Sequence, residues 1–450
     1  MKMFGTNGIR GVANGYLNCE LSMKVGRAIA HVLGPGPIAI ATDTRVSSPM
    51  IFSSVSSGLM SMGVDVIDLG MVPTPALQYF VKTHDDVTAG VMITASHNPP
   101  EFNGIKCVSA DGTECSHEEE SAIEDAYEVD LQTVNWDKIG NMTRVDDAGE
   151  RYIDAIVSKV DAEAIRKANL KVVLDCANGA SVHTSPLLLE KLGVSAVVLN
   201  GEADGMFPGH YSEPVEENLS ELKETVKEIH ADLGFAHDGD ADRCVFVSDT
   251  GTYLPGDVGL ALLSILCVKN TAGKKQLVST VALSNMVEDA VKEVGGETIR
   301  TAVGSPIVAR KMIETGAPIG GEDNGGIIFA DHQFCRDGAM AAARMMEFVA
   351  KNESVQAQVD KLPKYYTIKA AAPCPDDKKA QLLVEIATGH SAEKLDTTDG
   401  LKITYEDGWV LLRPSGTEPK FRIYSESKYP DIAKERSERF VEEVRDILSS

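Results

Sequence analysis

Apolar and polar positions along the chain follow an order that repeats three times. An apolar run at 38–42 reads as a strand, 47–62 as a helix, Gly63 as its stop and 64–69 as a second strand. Pro73 and Pro75 then open a short helix. The order recurs as strand 170–174, helix 185–192, Gly193 and strand 194–199. It recurs again as strand 276–280, helix 284–294, Gly295-Gly296 and strand 297–301, with Pro306 near the start of another helix. Copies about 100 to 130 residues apart predict three related α/β modules, too widely spaced for a solenoid.

Each module closes with a strand, a polar loop and a returning strand. The first loop leaves the run 89–93 at Thr94 and re-enters an apolar run at 105–108. The second leaves 233–236 and returns at 244–247; the third leaves Pro318-Ile319 and returns at 327–329. Three equivalent loops predict one shared cleft. After a helical stretch at 336–350 and a charged segment at 351–364 the texture changes. Short strands at 401–405, 409–412 and 421–425, a helix at 378–387 and an amphipathic helix at 431–448 predict a smaller α+β domain. The expected division is 1–150, 151–252, 253–364 and 365–450.

The chain has 450 residues, 43% of them hydrophobic, enough for several cores. A formal net charge of −24 excludes a nucleic-acid or anionic-membrane partner, so a phosphate-bearing substrate would require cations concentrated locally. No apolar run approaches the ~18 residues of a membrane span, and Met1-Lys2-Met3-Phe4-Gly5 lacks a signal-peptide core, so a cytoplasmic protein is expected. The eight cysteines form no C-x-x-C pair, which points to neither zinc nor a disulfide framework. Nothing in the pattern sets an oligomeric state.

The loops carry the chemistry. Pro99 and Pro100 stiffen a turn with Ser96 and His97 at its tip and Lys106 at its far end, a rigid mount for one hydroxyl. On a straight strand Asp238 and Asp242 would lie roughly 13 Å apart. If Gly239 lets the chain curl, Asp238, Asp240 and Asp242 become three oxygen donors for one divalent cation, which favours magnesium over zinc. Arg243 either steadies a phosphate or pairs with one of these aspartates. In the third loop Glu322 and Asn324 suit sugar hydroxyls. The run Arg413-Pro414-Ser415-Gly416-Thr417, followed by Arg422, reads as a compact phosphate cradle, and Phe4 to Gly11 as a glycine-dense loop carrying Arg10.

Together, the Thr-Ala-Ser-His-Asn-Pro loop at 94–99, Asp-Gly-Asp-Ala-Asp-Arg at 238–243, Gly-Glu at 321–322 and Arg-Pro-Ser-Gly-Thr-Glu-Pro at 413–419 resemble the α-D-phosphohexomutase family, over nearly the whole chain. The resemblance implies three α/β domains and a C-terminal domain like the TATA-binding protein, arranged around a central cleft. It implies that Ser96 is phosphorylated in the resting enzyme and that its phosphate holds Mg²⁺ together with Asp238, Asp240 and Asp242. Glu322 and Asn324 would hold sugar hydroxyls, and Arg413, Ser415, Gly416 and Thr417 the non-reacting phosphate, with Arg243 and Arg422 as further contacts. Arg10 and Lys106 would stand beside the reacting centre, Lys106 as candidate general acid/base and His97 as a phosphate or loop contact. The implied reaction interconverts hexose 1- and 6-phosphates through a hexose 1,6-bisphosphate, with the fourth domain closing about a junction at 351–370.

Two departures bear on the sugar. Many relatives carry serine at the position of Asn324 and often histidine at that of Gly326, and Val303-Gly304-Ser305-Pro306 lacks a histidine of some glucose/mannose enzymes. The Asn324 form resembles archaeal-type members. The opening Phe-Gly-Thr-Asn-Gly-Ile-Arg-Gly is similar to phosphoglucosamine mutases, which implies glucosamine 6-phosphate and glucosamine 1-phosphate as the pair. Mannose or glucose phosphates, or a phosphoserine-dependent sugar phosphatase, are the alternatives.

Overall fold

The computed structural model describes residues 2–5, 7–352, 354–415 and 419–449. Three modules share one four-stranded core. The first strands are Ile38–Thr42, Lys171–Asp175 and Gln276–Thr280; the second are Val66–Met71, Ser195–Leu199 and Glu297–Thr301. The third are Ala89–Ile93, Leu233–His237 and Ile319–Gly321; the fourth are Phe102–Ser109, Cys244–Ser248 and Ile327–Phe329. Each sheet runs second–first–third–fourth, the first three strands parallel and the fourth antiparallel. Most of the first and third strands are buried along most of their length, which explains their continuous apolar runs. The hairpin between third and fourth strands is the polar loop in every module.

The helix signals act as expected. Pro49, Pro75, Pro186 and Pro306 sit in first turns, and Gly193 and Gly316 close their helices in the left-handed conformation, with φ of 68° and 74°. At the helical stretch beginning at 336 the structure differs from the pattern. Residues Gln333–Arg336 form an edge strand beside Ile327–Phe329, and the helix is Gly338–Lys351, capped by Asp337. That helix is buried nearly all round and packs among helices of the second and third modules, within a core that runs continuously through all three.

The C-terminal domain is a five-stranded antiparallel sheet in the order Tyr366–Pro373, Lys420–Ser427, Gly408–Pro414, Leu401–Tyr405, Lys394–Asp396. Helices Lys379–Gly389 and Pro430–Ser449 supply Leu382, Ile386, Phe440 and Val444 to its core. It docks on the third module through Trp409 and Leu411 against Val281 and Ala282. Lys402 Nζ donates to the Val281 carbonyl at 2.7 Å, and Lys369 pairs with Asp323 at 2.7 Å.

Candidate active site

Ser96 is the most constrained residue of the first loop. It is buried, with a φ of 53° in the left-handed region that residues with a side chain rarely adopt. Its Oγ donates to Asp238 Oδ2 at 2.6 Å, so the hydroxyl meets the acidic loop of the second module directly. Gly239 permits this approach in a way the pattern did not suggest. Its φ is not positive; the left-handed residue of the curl is Ala241, at 56°. A Cβ on Gly239 would stand 2.6 Å from the Ser96 carbonyl oxygen, so the missing side chain is what lets the two loops touch.

The three aspartates are brought together. Asp238, Asp240 and Asp242 are buried, with one oxygen from each within 4.8 Å of the others. Asp240 Oδ2 accepts from Thr74 Oγ1 and Lys106 Nζ, both at 2.6 Å, and Asp242 Oδ2 from Arg336 Nη2 at 2.6 Å. The remaining oxygen of each, Asp240 Oδ1 and Asp242 Oδ1, is buried without a hydrogen-bond partner. Burial and then repulsion from Asp240 and Asp242 push Asp238 up to about 8. Asp240 is also pushed up by burial, but the charge and hydrogen bond of Lys106 outweigh this and hold it below the usual carboxylate range. Orphaned hard oxygens in a site that resists three full negative charges fit a magnesium ion. Lys106, Thr74 and Arg336 orient the donors from behind.

Four cations meet this acidic centre, the local concentration that the overall charge demanded. Lys106 pairs with Asp240 and, at 3.4 Å, with Asp242. Arg243 Nε stands 3.9 Å from Asp238 and 4.0 Å from Asp242 with no hydrogen-bond partner among the described residues, and the residue also lines the cleft. Arg10 Nη1 donates to Asn98 Oδ1 at 2.8 Å and to the Ala95 carbonyl at 3.3 Å, tying the amino-terminal loop to the serine loop. Arg336 is the fourth, and nothing in the pattern marked it. His97 Nδ1 lies 3.2 Å from Ser96 Oγ. Burial, with the charges of Arg243 and Arg10, pushes its pKa down to about 2.

A cavity of about 420 Å³ draws on all four domains: His97 from the first, Arg243 from the second, Glu322 and Asn324 from the third, Arg413 and Arg422 from the fourth. Asn324 Oδ1 accepts from the Gly326 N–H at 3.0 Å, fixing the turn that presents Glu322. Arg413 Nε lies 2.9 Å from both oxygens of Asp399, and Ser415 Oγ is buried without a hydrogen-bond partner among the described residues. Gly416 and Thr417 lie outside the described residues. Arg45 is a second omission of the sequence reading. Buried after the first strand, it donates to the carbonyls of Ser96, Asn98, Pro99 and Phe102 at 2.6–2.9 Å. The two prolines stiffen that loop, but this guanidinium holds it.

Three α/β modules bring a buried serine, a cluster of three aspartates that fits a divalent cation and the Glu322 loop to one cleft, which a fourth domain lines with Arg413 and Arg422, the arrangement of a phosphate-handling enzyme. The chain belongs to the phosphoglucomutase/phosphomannomutase family, and so is an isomerase. Sequence models of the family's α/β/α domains I, II and III match residues 1–133, 150–251 and 255–366, and that of its C-terminal domain matches 349–445. A phosphoglucomutase/phosphomannomutase from Thermococcus kodakarensis is 42% identical, the match covering 99% of each chain. A phosphoglucosamine/phosphogalactosamine mutase from Sulfurisphaera tokodaii is 40% identical over 96% of each. The crystal structure of a phosphoglucomutase/phosphomannomutase family protein from Burkholderia thailandensis superposes with a TM-score of 0.87. That protein is 27% identical, and the match covers 98% of this chain and 97% of that one. Among the described residues, no helix is long and apolar enough to cross a membrane.

Proposed function

We propose that the protein interconverts glucosamine 6-phosphate and glucosamine 1-phosphate through phosphoserine 96 and a hexosamine 1,6-bisphosphate. The observation that carries this reading is the Ser96 hydroxyl, 2.6 Å from Asp238 inside a ring of carboxylates and cations. As the Oγ–P bond of phosphoserine 96 breaks, a bond forms between that phosphorus and O6 of the sugar 1-phosphate; the O6 hydroxyl gives up its proton and the departing Oγ takes one up. Lys106, whose Nζ is held by Asp240 Oδ2 at 2.6 Å, is the group placed to relay that proton from O6 to Oγ. The bisphosphate turns over in the cleft; its O1–P bond then breaks as Oγ–P re-forms, and the proton that Oγ gives up goes to O1. Asp238, Asp240, Asp242 and the phosphoserine would hold a magnesium ion, which would supply charge compensation for the transferring oxygens. Arg413, Ser415 and Arg422 grip the phosphate that is not reacting, alike from either end of the bisphosphate.

The choice of an amino sugar rests on the cleft's lining and on the relatives. On the cavity wall Glu322 is paired with Arg336 and Asp323 with Lys369, and Glu213 adds a further carboxylate that suits a 2-ammonium group; the Sulfurisphaera relative is named for hexosamine phosphates. The test is kcat/KM for the 1-phosphates of glucosamine, glucose and mannose, with isomer and inorganic phosphate both measured. Glucosamine should rank first, with isomer as product. A higher value for glucose or mannose would reassign the sugar, and steady phosphate release without isomer would make the protein a phosphatase.

The fourth domain docks on the third through one small apolar cluster, Trp409 and Leu411 on Val281 and Ala282, ringed by polar contacts such as Lys402 to the Val281 carbonyl and Lys369 to Asp323. Such contacts re-form readily when a domain rotates to exclude water from the phosphoserine. Substrate should therefore raise hydrogen-exchange protection across residues 351–370. Unchanged exchange there in the presence of saturating bisphosphate would remove domain closure from the scheme.

A further inference from the structure

Arg336 stands where three modules meet. Its Nη2 donates to Asp242 Oδ2 at 2.6 Å and lies 3.8 Å from Glu114 Oε1 of the first module, while its Nη1 donates to Glu322 Oε2 at 3.3 Å. The side chain is buried, and the three carboxylates hold it well above its usual range against the opposing effect of burial. One planar fork thus joins an oxygen of the acidic centre to the acceptor of the third loop, with fixed geometry between them. Gly326 makes the room. A Cβ there would stand 2.2 Å from Arg336 Cδ, in the middle of the side chain, and the residue's φ is not in the left-handed region, so space and not backbone conformation requires glycine. The Gly326 that departs from many relatives and the unmarked Arg336 are one arrangement.

We propose that Arg336 is a positioning residue that sets the spacing between metal ligand Asp242 and sugar contact Glu322, and that Gly326 lacks a side chain so that Arg336 can do so. This rests on the roles given to Asp242 and Glu322 above. A lysine at 336 keeps the charge but has one nitrogen on a shorter stem in place of the two forked nitrogens that reach Asp242 and Glu322 separately, and an alanine at 326 keeps the arginine but displaces it.

The experiment uses the full chain, with four variants: Arg336→Met, Arg336→Lys, Gly326→Ala and Gly326→Ala/Arg336→Met. Each single change should lower kcat/KM about 100-fold, the scale of an ångström's misplacement. The double variant should lose about the same 100-fold, because both changes remove one contact; multiplied losses would overturn the proposal. Mn²⁺ binding to the substrate-free protein, read by electron paramagnetic resonance, should weaken about tenfold in each single variant, as for other residues that orient metal ligands. Full activity or unchanged Mn²⁺ affinity in Arg336→Lys overturns it as well, and that variant serves if Arg336→Met does not fold. Asp242→Asn and Glu322→Gln are run alongside. If Asp242→Asn leaves Mn²⁺ binding intact, or Glu322→Gln leaves KM intact, the site roles fail. If both matter while the Arg336 variants do not, only the spacing role fails.

Discussion

Ser96→Ala reduces turnover by a factor on the order of 10⁵ or more while the protein still folds and still binds sugar phosphate. The size follows from the chemistry: with no oxygen to carry the phosphoryl group, neither half of the exchange has a starting point, and the surrounding cations have nothing to act on. Folding is spared because the Oγ makes only the bonds to Asp238 and His97, whereas the loop is held by the Ser96 carbonyl and N–H, which alanine keeps. The cost of φ at 53° changes little between serine and alanine. Two measurements decide the matter. Steady-state turnover should vanish, and intact-mass spectrometry after incubation with hexose 1,6-bisphosphate should find a phosphorylated fraction in the parent and none in the variant. A variant that keeps normal turnover would sink the phosphoserine scheme.

The loops were legible because their chemistry is local in sequence. Alternating aspartates, a serine between strands and paired glycines can be read within ten residues, and the repeated strand–helix–Gly–strand order fixes which loops are equivalent. What supports them is not local. Arg45 reaches the serine loop across more than fifty residues, and Arg336 reaches Asp242 across 94, so neither leaves a pattern beside the motif it serves. A signal for Arg45 did exist: Asp43 and Arg45 follow directly on a strand buried along its length, at the end where open α/β sheets place their sites. Arg336 was absorbed into a helical stretch, because Ala339–Ala343 continues the helix pattern up to the chain's turn at Asp337-Gly338. The strand Tyr366–Pro373 went unmarked for a different reason: its central Lys-Ala-Ala-Ala run lacks the branched and aromatic residues that favour strands, and pairing along all of Lys420–Ser427 makes it one. At Gly239 the curl that gathers the aspartates was legible, and the close approach to the Ser96 carbonyl was not. A glycine can mark close approach as well as a positive φ, and the sequence does not separate the two.

Arg45→Met destabilises the protein by about 3–5 kcal/mol, the cost of leaving a buried partner charge uncompensated. Asp43 is that partner: it takes Arg45 Nε at 3.0 Å with no exposure of either side chain, and burial already pushes its carboxyl up, with the guanidinium pulling it back. The lost guanidinium also abandons the carbonyls of Ser96, Asn98, Pro99 and Phe102, and leaves the Phe207 ring, now 5.0 Å from it, without its cation. Asp43 is tied to the nucleophile by a second route, because Thr94 Oγ1 donates to it at 2.7 Å and accepts the Ser96 N–H at 2.9 Å. Stability and activity should therefore separate in the Asp43→Asn/Arg45→Met double variant. With both charges gone, most of the lost stability in urea unfolding returns, since a neutral pair need not be desolvated as ions. Turnover does not return, because no donor replaces the guanidinium on the four carbonyls and nothing then holds Ser96 at its strained φ. Loss of less than about 1 kcal/mol in the single variant would show that the loop carries itself. Recovered turnover in the double would show that Arg45 serves only to neutralise Asp43.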